Sequence, residues 1–413
     1  MPTEDLTGSP RLNEVAATWE PQLLETAQAF LRIPSVTGDE GHLAAHLRKV
    51  LANHQYDEVF QDELGNVVGR IRGAGTGPSA LFTVHLDHPD PGDRASWTHE
   101  PFSGALIDGA LHGCGASENK GALAAMVTAG ALIKKMGIAL QGDFIFAGVV
   151  QAQAHANFGI RYLVDRSLPE RGIQYDLVVF GNPTNLNINL GQRGRLEMEL
   201  TGFGRVSHAG APWLGSNAIH GMVPVLNAIE ALTSSLPSHP FLDRATLATT
   251  SVSSAPTRPC TIPDRCTLAL DRRFLPSEST DAILWQVQSI INRIAADDPT
   301  FKAELRARCV QIRSFTGLTQ DGPCLVHPFV TDAEHPLVLA TRQALETLGQ
   351  QPRLSRWTFP TDAGYTASLK RITTVGYAPG DEKIAQTPFE HVRLDHLLSA
   401  LAGYAAISLQ ISA

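Results

Sequence analysis

In Thr83-Val84-His85-Leu86-Asp87 an imidazole and a carboxylate stand two residues apart. A carboxylate beside a histidine can fix the ring tautomer and raise its basicity, so His85 reads as a general base with Asp87 as its orienting partner. A further carboxylate, Glu118 in Gly115-Ala116-Ser117-Glu118-Asn119-Lys120-Gly121, could serve as the complementary acid or base. The other reading is that His85 and Glu118 only tie their loops by hydrogen bonds. Gln153, Asn182 and Gln386 are neutral amides, able to hydrogen-bond one another, a carboxylate or a ligand but poor as zinc donors. Cys114 would be a nucleophile only in surroundings that stabilise its thiolate, which His85 could supply; the alternative is a small buried packing residue.

Apolar spacing predicts helices over 23–31, 41–51, 120–136, 157–164, 337–348 and 394–407. Short β-branched or aromatic runs at 67–71, 80–85, 143–150 and 176–180 read as strands. Their alternation with helices argues for an α/β sandwich on a largely parallel sheet, with ligand-binding residues in loops at strand C-termini. His85, residues 151–153 and residues 181–184 fall at such ends. From about residue 191 the rhythm changes to strands at 195–202, 245–251, 266–273 and 302–312 and helices at 217–232 and 282–295. The order β-α-β-β-α-β is that of a ferredoxin-like unit.

A chain of 413 residues, 43% hydrophobic and 18% charged, is long enough for two cores, and two domains are expected. A formal net charge of -8 with no Lys/Arg run excludes an electrostatic footprint for nucleic acid or anionic membrane, leaving a small-molecule substrate. The acidic start Met1-Pro2-Thr3-Glu4-Asp5, read as frayed, lacks signal-peptide regions, and no window reads as a membrane helix, so a cytoplasmic location is expected. Five cysteines without a Cys-x-x-Cys pair disfavour a disulfide framework and a cysteine zinc site.

From Pro34-Ser35-Val36-Thr37-Gly38-Asp39-Glu40 to Thr387-Pro388, the chain resembles the dinuclear-zinc aminoacylase and carboxypeptidase family, which includes acetylornithine deacetylase, succinyl-diaminopimelate desuccinylase and glutamate carboxypeptidase. The resemblance implies a zinc-peptidase-like α/β sandwich formed by 1–190 and 317–413, with a ferredoxin-like lid and dimerisation domain at 191–316. It also implies a cis peptide bond after Glu118. The family's zinc-ligand positions fall on His85, Glu118 and Asn182 for one ion, and on Glu118, Gln153 and Gln386 for the other. Its catalytic Glu falls on Ala152, which cannot take a proton from water. On the lid, Val206-Ser207-His208-Ala209-Gly210 and Gly215-Ser216-Asn217 match segments whose His and Asn reach the partner subunit's site and hold an oxyanion. Asp271-Arg272-Arg273 matches an Asp-x-Arg whose Arg receives a substrate carboxylate, a task suited to its fork of donors. Asp362 and Gly380 match pocket loops, and His155 could point into the space of the missing metals.

Few good zinc donors remain, since catalytic zinc takes about three N, O or S ligands. The sequence therefore points to a lid-dimerised homodimer with no metal and no other cofactor, acting on the acyl or amide group of a small amino-acid-like or carboxylate-bearing molecule by hydrolysis, acyl transfer or condensation. Here His85 and Asp87 would form the base, Glu118 the acid or base partner, and His208 the oxyanion donor. Two other readings stay open: a small-molecule-binding pseudoenzyme, and a residual single-metal amidohydrolase.

Overall fold

A computed structural model of the chain describes residues 10–137, 139–154 and 156–412. The expected frayed start and His155 lie outside these residues.

An eight-stranded sheet carries the larger part of the chain, in the order Glu58–Gln61, Val67–Ile71, Phe144–Val149, Ala80–His85, Leu177–Phe180, Thr373–Gly376, Ile188–Asn189, Leu354–Ser355. Its four central strands, from Phe144–Val149 to Thr373–Gly376, are parallel. Ile188–Asn189 and Leu354–Ser355 at one edge also pair parallel, so the expectation of a largely parallel sheet holds. Glu58–Gln61 and Val67–Ile71 pair antiparallel, because the link between them is a tight turn rather than a crossover. Asp62 holds that turn, accepting the amide hydrogens of Leu64, Gly65 and Asn66.

All residues of Ala80–His85 and Phe144–Val149 are buried, as strands covered on both faces must be. Helix Gly121–Met136 is buried from Gly121 to Ile133 and stops at Gly137, whose φ of 64° forms a left-handed cap. Helix Leu394–Ile411 packs on it. By length and composition this last helix could cross a membrane, against the reading that no window does, yet 67% of the apolar stretch is buried in the protein core. Its apolar, largely small residues are explained by helix packing.

Strands Gly194–Phe203, Thr246–Ala255, Arg265–Phe274 and Lys302–Ala307 form the second sheet, all antiparallel, with helices Ala218–Thr233 and Thr280–Asp297 between them in the ferredoxin-like order, and the short strand Leu325–Val326 joins it beside Arg195 and Leu196. Burial alternates strictly along Gly194–Phe203, and Leu196, Met198 and Leu200 meet Met222, Val225, Ile283 and Val287 in a core of their own. The single strand expected over 302–312 is instead two. Cys309–Arg313 leaves the sheet to pair with Thr319–Pro323, and Gly317, at φ 92°, lets the intervening turn close.

Candidate functional site

The C-terminal ends of three adjacent parallel strands open onto one cavity of about 270 Å³. His85 ends the first, Gln153 follows the second and Asn182 follows the third. Glu118 enters from the turn before helix Gly121–Met136, and the Glu118–Asn119 peptide bond is cis. Asp362, Gln386 and Arg273 complete the set of sequence-marked residues that line this space.

Glu118, only 5% exposed, is the hub. Asn182 Nδ2 donates to its Oε1 at 3.3 Å and Gln386 Nε2 to its Oε2 at 3.0 Å. The same Gln386 nitrogen lies 3.3 Å from Gln153 Oε1. On the remaining side His85 Nε2 stands 3.6 Å from Glu118 Oε1. His85 Nδ1 meets the backbone carbonyl of Asp87 at 2.8 Å, and the Asp87 carboxylate is farther away at 3.5 Å. The orienting group is therefore the main chain, which corrects the side-chain pair read from His-x-Asp. Asp87's carboxylate is occupied elsewhere, accepting from Thr37 Oγ1 at 2.8 Å, Ala152 N at 3.2 Å and Gln153 N at 2.9 Å, and so fixes the loop that carries Gln153.

These contacts change the role of His85 as well. A carbonyl and a carboxylate both only accept, so each ring nitrogen is set to carry hydrogen, as in the imidazolium form. Burial alone would lower its pKa, but the close Glu118 carboxylate and the charge of Asp87 overcome this and lift it to about 9. A histidine so held is a proton donor near neutral pH rather than the free base expected from sequence. Asp362 is 9% exposed, and burial raises its carboxyl to about 7 against the opposing pull of His85.

His208 is exposed on the short strand Ser207–His208, its Nδ1 accepting from Gly210 N at 3.0 Å. Asn217 caps helix Ala218–Thr233 through Ile219 N. Within one chain neither reaches the cavity. Gly380 does not line it either; at φ 86° it lies against Ser117, where a Cβ would come within 2.6 Å of Ser117 Oγ. Cys114 is buried with its Sγ 3.4 Å from His88 Nδ1, not beside His85, and burial pushes its thiol up to about 12. The packing role is the one these surroundings allow.

Three contributors escaped the sequence reading. Arg195 and Glu382 line the cavity. Glu390, 2% exposed, accepts the amide hydrogens of Gly115, Ser117 and Glu118 at 2.8 to 3.0 Å and so holds the backbone of the Glu118 turn. Local sequence gives no hint of this, since the two segments are more than 270 residues apart.

Fold and cavity together are those of a hydrolase-like scaffold related to peptidases and desuccinylases. The chain belongs to peptidase family M20/M25/M40, whose model matches residues 81–410. It is 29% identical over 398 residues, 96% of each chain, to the uncharacterized protein YgeY of Escherichia coli K12. Succinyl-diaminopimelate desuccinylase of Methylorubrum populi is 34% identical over 221 residues, 50% of this chain and 56% of that protein. Among solved structures, the Bacillus subtilis YXEP protein, a dinuclear metal binding peptidase from the M20 family, superimposes with a TM-score of 0.70 at 17% identity, over 95% of this chain and 98% of that one.

Proposed function

We propose that this M20-family protein acts on the acyl or amide group of a small carboxylate-bearing molecule, by hydrolysis, transfer or condensation, without a pair of zinc ions. The observation that carries this reading is the state of Glu118. Both its oxygens accept N–H donors from Asn182 and Gln386, side chains that supply hydrogen where a metal centre would need further donor lone pairs. Among the described residues no three His, Cys, Asp or Glu side chains converge to hold a metal. One imidazole, one carboxylate and three amides do not fit a two-zinc centre, for which about three anionic or imidazole donors per ion are needed.

In this reading Glu118 takes the proton from the attacking group, His85 donates toward the developing oxyanion or the leaving group, and Arg273 receives a substrate carboxylate. Asn182, Gln153 and Gln386 orient Glu118 and the ligand. His208 and Asn217 would complete the site from a second copy of the chain, through a lid-mediated dimer.

Glu118→Gln tests the assignment. It should leave fold and ligand affinity near wild type while lowering turnover of N-acylated amino acids roughly a hundredfold or more. Ala152, which puts a methyl group where a base would stand, favours a second reading of binding without chemistry. In that case no product forms with the wild type, and the substitution alters affinity alone. Turnover that needs added zinc and disappears with chelator would overturn both.

A further inference from the structure

Three carboxyls line the cavity, those of Glu118, Asp362 and Glu382. Glu118 accepts the amides of Asn182 and Gln386, and Glu382 accepts Thr358 Oγ1 at 2.9 Å. Asp362 is the one without a donor: among the described residues no N–H or O–H group bonds its carboxyl and no cation pairs with it, although it is nine-tenths buried. The cavity arginines leave it alone, because Arg195 and Arg273 both donate their Nε to Asp271. The main chain around Asp362 is the opposite case. Gln192 Oε1 accepts Thr361 N at 2.8 Å and Thr361 Oγ1 at 2.7 Å, while its Nε2 donates to the Thr361 carbonyl at 2.8 Å. Ala363 N donates to Thr361 Oγ1 at 3.2 Å, and Tyr365 N to the Asp362 carbonyl at 2.9 Å. Backbone bonds on both sides thus aim the Asp362 side chain into the cavity without any bond to the carboxyl itself.

A desolvated carboxyl with no donor is held as the neutral acid, since ionising it would leave an uncompensated charge in a site with little water. Burial and the nearby Asp87 charge favour that form, and the His85 charge opposes it without prevailing. A neutral carboxyl keeps an O–H to give, which an ionised one lacks. The chemistry at Glu118 needs such a group. His85 stands 3.6 Å from Glu118 and has one proton to offer on that side, which cannot both stay on an oxyanion and leave with a departing nitrogen.

We propose that Asp362 is the general acid of this site: its O–H protonates the departing nitrogen of an amide substrate while His85 keeps the oxyanion. In the addition step Glu118 takes the proton of the attacking O–H or N–H group, that atom bonds to the carbonyl carbon, and the C=O π pair moves onto oxygen. In the collapse that pair re-forms C=O, the C–N bond breaks, and the nitrogen takes the bonding pair and the Asp362 proton. Glu118 is left protonated and Asp362 ionised, and passage of one proton from the first to the second through solvent restores the starting state. This inference rests on the reading above that Glu118 is the base at the acyl or amide group.

Two acetylated compounds that share a carboxylate and differ only in the leaving atom test it on the full chain: 4-acetamidobenzoate, an amide whose nitrogen must be protonated to leave, and 4-acetoxybenzoate, an aryl ester whose phenolate leaves unaided. Asp362→Asn should lower kcat for the amide roughly a hundredfold or more and keep that for the ester within about fivefold, with KM for both little changed. Wild-type turnover of the amide should fall as pH rises through about 7, where the acid ionises, and turnover of the ester should show no such fall. Asp362→Glu should restore part of the amide activity. An equal loss for both compounds in a variant shown to be folded by thermal unfolding, or a rise in KM alone, would overturn the assignment. So would a wild-type amide profile that stays flat through pH 7, a measurement that needs no variant. Glu118→Gln should slow both compounds, so ester turnover that survives it would sink the base while leaving the amide–ester split at Asp362 in place. Failure of the wild type to turn over either compound would overturn the two together.

Discussion

Gln386 joins Glu118 at 3.0 Å through its amide nitrogen, tying the loop at 377–390 to the turn before helix Gly121–Met136. An amide N–H on a carboxylate leaves that oxygen neutralised by a dipole, whereas a histidine there would offer a lone pair to a shared cation. Restoring donors should reverse the state of the site. The chain carrying Ala152→Glu, Gln153→Glu, Asn182→Glu and Gln386→His should purify with zinc in the absence of chelator, and the wild type without it, by elemental analysis. Stoichiometric zinc in the wild type would count against the proposed chemistry.

His85 should titrate abnormally. In Glu118→Gln the negative charge that offsets its burial is lost, so its pKa should drop by about a unit or more from the value near 9, as followed by imidazole NMR. Because the folded-state pKa is raised, the stabilisation is complete below the ordinary histidine pKa near 6.5 and is lost as pH rises through about 9. Thermal unfolding of wild type and variant should therefore differ most near pH 6 and converge near pH 10.

Gly380→Ala places a methyl group against Ser117, both at its hydroxyl and at its backbone carbonyl, 2.8 Å away, at a φ of 86° that L-residues rarely adopt. The turn carrying Glu118 must shift. Turnover should fall at least tenfold while the rest of the fold persists; unchanged turnover with a reduced Tm would reduce Gly380 to a purely structural role.

Arg272, 1% exposed, is ion-paired with Glu278, which also accepts Leu275 N. Removing one partner of a buried pair leaves an uncompensated charge, so Glu278→Gln should destabilise the protein by on the order of 3 kcal/mol in denaturant unfolding. Arg273→Gln, one residue away, should cost little stability and mainly ligand affinity.

That contrast shows where sequence reading is strong. Period-two alternation in Arg265–Phe274 already sends Arg272 and Arg273 to opposite faces, and the motif at 271–273 marks Arg273 as the one toward ligand. The same regularities placed the central strands and nearly all the helices, because burial of one face imposes a period that survives in the residue order. His85, Glu118, Gln153, Asn182 and Gln386 were legible too, since each sits in a recognisable segment at a strand end or turn.

Partners were not legible. Where the Asp87 carboxylate goes, and that Glu390 holds the Glu118 turn, depend on contacts between segments up to 275 residues apart, which no local pattern encodes. Arg195 looked like an ordinary alternating strand residue until the antiparallel register set it opposite Arg273. Residue types and periodicity thus determined the layers, the ferredoxin-like insert and the supply of chemical groups, while tertiary structure alone decided protonation and pairing. Both of these depend on burial and on distances of a few ångströms between residues remote in the chain.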